Sequence, residues 1–234
     1  MGNKPNESTV QQSILFSPIG KKVLTGITGL GLTLFVITHM LGNLSYFQGS
    51  AAYNAYTEFL HSLGALLYVI EAGLVAVFVL HIVLGINIYL HKRKARKVGY
   101  KRFKTVGGAS KQSMSSRSMI ITGIILLVFL VVHLWSFKFG TYYETTLDGQ
   151  PVRDLARLVT EKFASPLYAF GYVAIMLLLA LHLRHGVWSA LQSLGAMNPR
   201  LTPLVYTLGA LLGLLIAIGF LVLPLWIYFT GGNV

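Results

Sequence analysis

The chain has 234 residues, of which 54% are hydrophobic and 11% are charged. In water-soluble globular domains about 25% of residues are charged, so this composition excludes a soluble globule and indicates an integral membrane protein. The formal net charge of +12 would suit a nucleic-acid-binding protein, but ten of the nineteen basic residues lie between Lys92 and Arg117, as in a cytoplasmic loop of a membrane protein.

Five apolar runs are long enough to cross a membrane, because an α-helix needs about 20 residues to span a hydrocarbon core of about 30 Å. They are Val23–Leu44, Leu63–Leu90, Met119–Phe137, Pro166–Leu191 and Pro203–Phe229. The sequence therefore predicts an all-α protein, a single membrane domain over residues 1–234 with five transmembrane helices. We expect a multi-pass protein of the cell inner (cytoplasmic) membrane, surrounded by lipid and without a nucleic-acid partner.

The N-terminal tail sets the expected orientation. Met1–Gly20 contains no short apolar segment followed by small residues, so a cleaved signal peptide is not expected. Lys4, Lys21 and Lys22 precede the first apolar run, and basic residues mark the cytoplasmic side of a membrane protein. The N-terminus is therefore predicted to be cytoplasmic, with the first helix running outward.

The next segment, Ser45–Ser62, has no Lys or Arg, which suits the outer side. It contains Glu58 and His61, and His61 is expected to be a surface histidine. The second helix then returns inward with Glu71, the only acid within the five runs. Acids inside membrane segments are often functional, so Glu71 is a candidate for proton transfer. An interhelical hydrogen bond or an interfacial position explains it equally well.

The loop His91–Ser118 contains ten Lys and Arg residues and no acid. Membrane topology and attraction to anionic lipid account for this charge, and a docking surface for an acidic partner is a second interpretation. The third helix runs outward, the loop Lys138–Ser165 mixes acids with bases, and the fourth helix returns inward. The fifth helix has no charged residue and is expected to serve in packing.

Four histidines lie inside the predicted helices, one in each of the first four: His39, His81, His133 and His182. Counted at the helical rise, the first and third lie about 20–25 Å from the cytoplasmic side, and the second and fourth lie at about 14 Å. Two imidazoles at one depth are what a planar porphyrin needs for axial ligation from both faces. We therefore expect two bis-histidine haems, which favour electron transfer over oxygen chemistry.

Other interpretations of the histidines stay open. Each histidine alone would suit an interhelical hydrogen bond, as polar side chains in membranes commonly do. A zinc site would be short of donors, because two histidines in a layer are half of a tetrahedral set. The alternative from a different class is a haem-free transporter or structural bundle, although a transporter would more often show internal repeats.

Two stretches resemble a known family. The first is residues 31–44 (GLTLFVITHMLGNL), followed by Asn54-Ala-Tyr56 and Leu60-His61, and the second is residues 182–195 (HLRHGVWSALQSLG). Over nearly the whole chain the sequence resembles the cytochrome b membrane-anchor subunit of succinate dehydrogenase. The match is to the five-helix, di-haem type that is shared with some fumarate reductases.

This resemblance implies two haem b groups, a distal one held by His39 and His133 and a proximal one held by His81 and His182. His182 is preferred to the nearby His185 because the family ligand stands four residues before a glycine, here Gly186. The four imidazoles would then be the axial ligands of the haem iron. This agrees with the pairing expected from depth.

The resemblance also implies partners on the cytoplasmic face: an iron–sulfur subunit and a flavoprotein subunit that oxidises succinate in the tricarboxylic acid cycle. The chain has no cysteine, so a thiolate-bound cluster would belong to the partner. Electrons would pass to a membrane quinone, with menaquinone favoured. Arg184 and His185 are candidates for contacts with haem propionates or quinone, since arginine can bind a carboxylate through two hydrogen bonds. A fumarate reductase anchor, with electrons running the other way, stays open.

Overall fold

The computed structural model describes residues 17–95 and 114–232. Residues 1–16 of the predicted N-terminal tail, with Lys4, and most of the basic loop His91–Ser118 lie outside these residues. In chain order the helices of the described part are α1 (Pro18–Leu44), α2 (Ser50–Ser62), α3 (Ala65–Lys94), α4 (Met114–His133), α5 (Leu155–Phe163), α6 (Pro166–Ser193) and α7 (Leu201–Thr230). A 3-10 turn, Ser45–Gln48, follows α1, and a π-helical turn, Leu134–Lys138, continues α4.

The predicted all-α membrane bundle is confirmed. Helices α1, α3, α4, α6 and α7 are long and apolar enough to cross a membrane. Most of their ends lie up to five residues beyond the predicted apolar runs, whereas α3 begins two residues inside its run, at Ala65. The extensions arise because hydropathy marks only the part of a helix that lies in hydrocarbon. The earlier start of α1 has a local cause: the Ser17 hydroxyl accepts a hydrogen bond from the Gly20 amide at 3.0 Å, and Pro18 stands at the first helical position.

The two ends of the bundle differ in chemistry. The end that we call the basic end carries Lys21, Lys92–Lys94 and Arg200, and the Lys21 ammonium joins α1 to α3 by donating to Asn87 Oδ1 at 2.8 Å. The opposite end, which we call the capped end, is covered by α2, α5 and a hairpin of β1 (Glu144–Leu147) and β2 (Gln150–Arg153). The mixed-charge segment Lys138–Ser165 is therefore folded over the bundle rather than being only a loop.

Buried polar contacts attach the cap to the bundle. The Tyr46 side chain is 1% exposed, and its hydroxyl lies 2.6 Å from Thr160 Oγ1 of α5. Asn54 of α2 donates to Asp154 Oδ1 at 2.9 Å and accepts from the Ala156 amide at 3.0 Å. These contacts surround an apolar cluster made of Tyr46, Tyr53, Ala156, Val159, Phe163, Leu223 and Ile227. The cap is thus part of the hydrophobic core at this end.

Small residues bring the long helices close together, as is common in membranes. Helix α1 packs against α3, α6 and α7, while α6 also packs against α4 and α7. A Cβ atom placed on Gly213 of α7 would lie 2.9 Å from the carbonyl oxygen of Ala180 on α6, and one on Gly26 of α1 would lie 3.2 Å from Cα of Ala190. Helices α1 and α6 are therefore central, and the packing role expected of the fifth long helix is confirmed.

Candidate functional site

The structure brings His39 of α1 and His133 of α4 into contact near the capped end. Their ring centroids are 5.7 Å apart and the ring planes are inclined by 88°. With metal–nitrogen bonds of about 2 Å, two imidazoles that bind one metal atom from opposite sides have centroids about 6 Å apart. The separation of this pair therefore fits bis-histidine ligation of a single metal centre.

Aromatic side chains surround this pair. The His39 ring stacks on Phe35 with centroids 5.4 Å apart and lies 6.0 Å from Phe220 of α7. The His133 ring lies between Phe129 and Phe137, at 5.6 and 5.5 Å. The result is an apolar environment around the two half-buried imidazoles.

His133 is the last residue of α4 before the π-helical turn begins. Such turns are rare and frequently occur at functional sites. The His133 Nδ1 atom lies 3.2 Å from the Tyr172 hydroxyl on α6. When Nδ1–H donates to this oxygen, Nε2 carries the lone pair and is the nitrogen that can bind a metal.

His81 of α3 is positioned by α1. Its Nδ1 atom lies 3.1 Å from Thr28 Oγ1, and that hydroxyl lies 2.8 Å from the Leu24 carbonyl oxygen and 3.1 Å from the Thr25 carbonyl oxygen. Because the hydroxyl proton is directed to its own helix, the oxygen is left to accept from Nδ1–H. This selects the tautomer of His81 whose Nε2 has a free lone pair.

His182 of α6 has the same arrangement with α4. Its Nδ1 atom lies 3.1 Å from Thr122 Oγ1, which in turn lies 3.1 Å from the carbonyl oxygens of Ser118 and Met119. Thr122 is 3% exposed, so water does not compete for this hydrogen bond. His81 and His182, the two histidines expected in one layer, are thus each held by a threonine hydroxyl of a neighbouring helix.

A glycine follows each of these threonines and faces the same imidazole. A Cβ atom on Gly29 would lie 3.1 Å from His81 Cε1, and a Cβ atom on Gly123 would lie 3.6 Å from His182 Cε1. The Thr-Gly dipeptide therefore offers a hydrogen-bond acceptor and a close backbone surface to each ring. A metal-binding histidine usually has its second nitrogen held in this way.

The donor set fits a bis-histidine metal group better than a zinc site. Three of the four predicted ligands, His81, His133 and His182, have Nδ1 within hydrogen-bond distance of a hydroxyl. Within residues 17–95 and 114–232, no three or more His, Cys, Asp or Glu side chains converge as metal ligands. A structural zinc site uses four such ligands.

Glu71, the candidate for proton transfer, and Glu58 lie toward the capped end. Glu71 of α3 forms an ion pair with Lys138, the last residue of the π-helical turn. This is an interhelical contact, one of the interpretations that the sequence left open. Glu58 lies 3.8 Å from His61 on α2, and both side chains are nearly half exposed. His61 is therefore a surface histidine, as expected.

Arg184 and His185 follow His182 on α6 but lie in other surroundings. The exposed Arg184 lines a groove between α6 and α7. Two residues along a helix turn the side chain by about 200°, so Arg184 lies on the face of α6 opposite His182. His185 is half-buried, and its ring centroid lies 5.7 Å from that of Trp188.

Sequence reasoning missed Thr28, Thr122 and Tyr172, the residues that contact the imidazoles. One signal was available, since the dipeptide Thr-Gly occurs within both the first and the third apolar runs. Comparisons with known proteins add no relative: no protein family matches this chain, and no curated protein or solved structure is similar to it.

Proposed function

We propose that the protein is a di-haem cytochrome b, the membrane anchor of a succinate dehydrogenase. In this role it passes electrons from an iron–sulfur partner subunit to a membrane quinone. The observation that carries the proposal is the orientation of the histidines: His39 and His133 are in contact, and His81 and His182 each have Nδ1 within hydrogen-bond distance of a buried threonine. This leaves Nε2 of the latter two free to bind a metal.

His39 with His133, and His81 with His182, are the residues that would hold the two haem b groups. Each haem, when bound by two histidines, supplies a one-electron carrier whose iron has no open coordination position. Thr28 and Thr122 hold their imidazoles against rotation and, by accepting Nδ1–H, increase the basicity of Nε2. The chain therefore contributes ligand orientation and ligand strength.

The surroundings of His39 and His133, the outer pair near the capped end, also suit haem binding. The aromatic rings of Phe35, Phe129, Phe137 and Phe220 make the surroundings of His39 and His133 apolar. An apolar environment is one of the means by which a protein sets a redox potential. We propose that the haem of His39 and His133 is thereby tuned differently from the haem of His81 and His182, where both imidazoles rather than one contact a hydroxyl group.

The basic end is the face we assign to the iron–sulfur and flavoprotein subunits. Lys21, Lys92–Lys94 and Arg200 give it a positive charge that suits both the cytoplasmic side and an acidic partner. The proposed location is the cell inner membrane. The quinone, menaquinone being favoured, would accept electrons from this chain.

Glu71 remains the candidate for proton transfer to quinone at the capped end. Its carboxylate is paired with Lys138, so uptake of a proton there requires that the ion pair opens. A fumarate reductase anchor would use the same residues, with electrons running from quinol to the partner subunits.

The second candidate is a haem-free structural bundle. The hydrogen bonds between Thr28 and His81 and between Thr122 and His182 join neighbouring helices, which is also what such a bundle needs. In such a bundle the contact between His39 and His133 would be edge-to-face packing of two rings among the surrounding phenylalanines. The two candidates differ in whether the protein binds haem.

A reduced-minus-oxidised visible spectrum of the purified chain tests the proposal. We expect the α-band of a b-type cytochrome, two haems per chain, and copurification with a flavoprotein and an iron–sulfur protein. Reduction of the haems by succinate, seen in the α-band, would identify the dehydrogenase. Reoxidation of the haems by fumarate alone would favour the reductase. A protein purified from haem-replete cells without any α-band would rule out both and leave the structural bundle.

A further inference from the structure

We propose that an anionic phospholipid binds in the groove between α6 and α7 near the basic end, with its phosphate on Arg184. The groove has a volume of about 330 Å³ and is lined by Arg184, Tyr206, Thr207, Ala210, Leu211 and Leu214. It lies on the outside of the bundle, because Thr207, Leu211 and Leu214 are exposed. The inference does not depend on haem binding.

Arg184 is a charged residue inside a membrane-spanning helix, nine residues before the end of α6 and hence about 14 Å along it. The ion pairs of the described residues use His61, Lys138 and Arg157 as bases, so Arg184 has no carboxylate partner in that part of the chain. The segments outside the description contain a single acid, Glu7. A charge at this depth needs a counter-charge or contact with the headgroup layer.

A phosphodiester matches what Arg184 offers. Guanidinium groups bind phosphate oxygens through paired, charge-assisted hydrogen bonds. The long aliphatic part of the arginine side chain can lie along apolar surface while its charged end reaches toward the headgroups. A neutral quinone would leave the positive charge uncompensated, which is why we assign the groove to an anionic lipid.

Two hydrogen-bond donors near Arg184 lack an acceptor. Trp188 Nε1 and the Tyr206 hydroxyl are buried and have no hydrogen-bond partner among the described residues, and the two ring centroids are 5.2 Å apart. Buried donors without partners are uncommon in native proteins. Of the two residues, Tyr206 lines the groove. The phosphate and ester oxygens of a phospholipid only accept hydrogen bonds, so they suit the Tyr206 hydroxyl.

The order of polarity along the groove is that of a lipid in one leaflet. Helix α7 begins at the basic end, and Tyr206 and Thr207 precede the apolar Ala210, Leu211 and Leu214. From Tyr206 to Leu214 the helix rises about 12 Å. A headgroup at the polar part would therefore direct its acyl chain along the leucines toward the membrane centre.

Native mass spectrometry of the delipidated full-length protein tests this site, with phosphatidylglycerol and phosphatidylcholine as probes. We expect retention of phosphatidylglycerol over phosphatidylcholine, and a loss of at least about tenfold in Arg184→Gln, the effect of one charge-assisted contact. Arg200→Gln is the matched control, because Arg200 is exposed at the same end but does not line the groove. It should retain the lipid as the wild type does.

A second variant tests the apolar part if Arg184→Gln does not fold. Leu211→Trp keeps the charge and fills the groove, so it should also lose phosphatidylglycerol. The proposal would be overturned if wild type and both groove variants retained phosphatidylglycerol equally, or if the wild type retained the two lipids equally. Displacement of phosphatidylglycerol by a short-chain quinone would also overturn it. Displacement by inorganic phosphate alone would do so too, because it would identify a simple anion site.

Discussion

Thr28 of α1 and His81 of α3 are joined by a 3.1 Å contact between Oγ1 and Nδ1, while the threonine hydroxyl donates to its own helix. The pair Thr122 and His182 repeats this relationship between α4 and α6. A hydroxyl used in this way determines both the direction of the imidazole and the nitrogen that remains free. Several consequences of this arrangement can be measured.

Thr28→Val keeps the shape of the side chain but removes the acceptor for His81 Nδ1. Loss of a hydrogen bond that holds a metal ligand typically costs 10–100-fold in metal affinity. We therefore expect the inner haem, the one assigned to His81 and His182, to be lost preferentially in a competition with apomyoglobin. Thr28→Ser should restore retention. Thr33→Val is the control, because the Thr33 hydroxyl donates to its own helix at Gly29. Equal haem loss in both valine variants would contradict this role of Thr28.

Gly29→Ala and Gly123→Ala should differ in their effects. The added methyl group would lie 3.1 Å from His81 Cε1 in the first variant and 3.6 Å from His182 Cε1 in the second. The first distance is too short for ordinary contact, so His81 must move, whereas the second is ordinary. We expect a shifted electron paramagnetic resonance signal of the inner haem only in Gly29→Ala. Gly31→Ala, which adds a methyl group in open space, should leave the spectrum unchanged.

Asn54→Ala should destabilise the cap. The variant leaves the Ala156 amide, which is buried, without its acceptor, and it removes the donor to Asp154. An unsatisfied buried group costs about 1–3 kcal/mol, so we expect a loss of about 2 kcal/mol, read as a lower melting temperature in detergent. Ser62→Ala removes an exposed hydroxyl whose contact is local and should be near neutral. A similar melting temperature for both variants would show that the cap does not limit stability.

The contact between the hairpin and α5 should depend on pH through Glu161. Hydrogen bonds from Tyr143 and then Arg157 lower the pKa of this carboxyl below its usual value. The hydrogen bond to Glu161 in turn raises the pKa of Tyr143. The folded-state pKa of Glu161 is therefore below the unfolded-state one, so the stabilisation is full above the unfolded-state pKa of about 4.3. It is lost as the pH falls through the folded-state value.

Melting curves of wild type and Glu161→Gln between pH 7 and pH 3 measure this dependence. The wild type should melt higher at neutral pH, and the difference should shrink below about pH 4.3. The effect is small because these groups are exposed to solvent. A difference that grows on acidification would have the wrong sign for a lowered pKa.

The long helices could be predicted because hydropathy and length are local properties of the sequence. The cap could not be predicted in the same way. Ala156, Val159 and Phe163 recur at helical spacing and bury one face of α5, but the short length and mixed composition of this segment gave no membrane signal. The hairpin did carry a local signal, because Asp148 and Gly149 have positive φ angles in the turn and Asp-Gly is typical of such turns.

For the site, depth could be predicted from the sequence, but rotation could not. Counting residues places His39 and His133 at one level, and the contact between their rings is consistent with that expectation. Which side chain faces each imidazole depends on how the helices are rotated about their axes, and no local pattern gives that angle. A threonine such as Thr28 is also able to bond only to its own helix. Its contact with His81 depends on the packing of α1 against α3, which the sequence does not specify locally.

The most direct test of the central claim is the haem content of single and double histidine variants, measured by haem assay and electron paramagnetic resonance. We predict that His81→Ala and the double variant with His182→Ala lose the same haem and keep the other. His39→Ala and the double variant with His133→Ala should lose only the other haem, the one assigned to His39 and His133. Loss of both haems or neither in a single variant, or loss of the same haem in His39→Ala and His81→Ala, would contradict two layers of paired histidines.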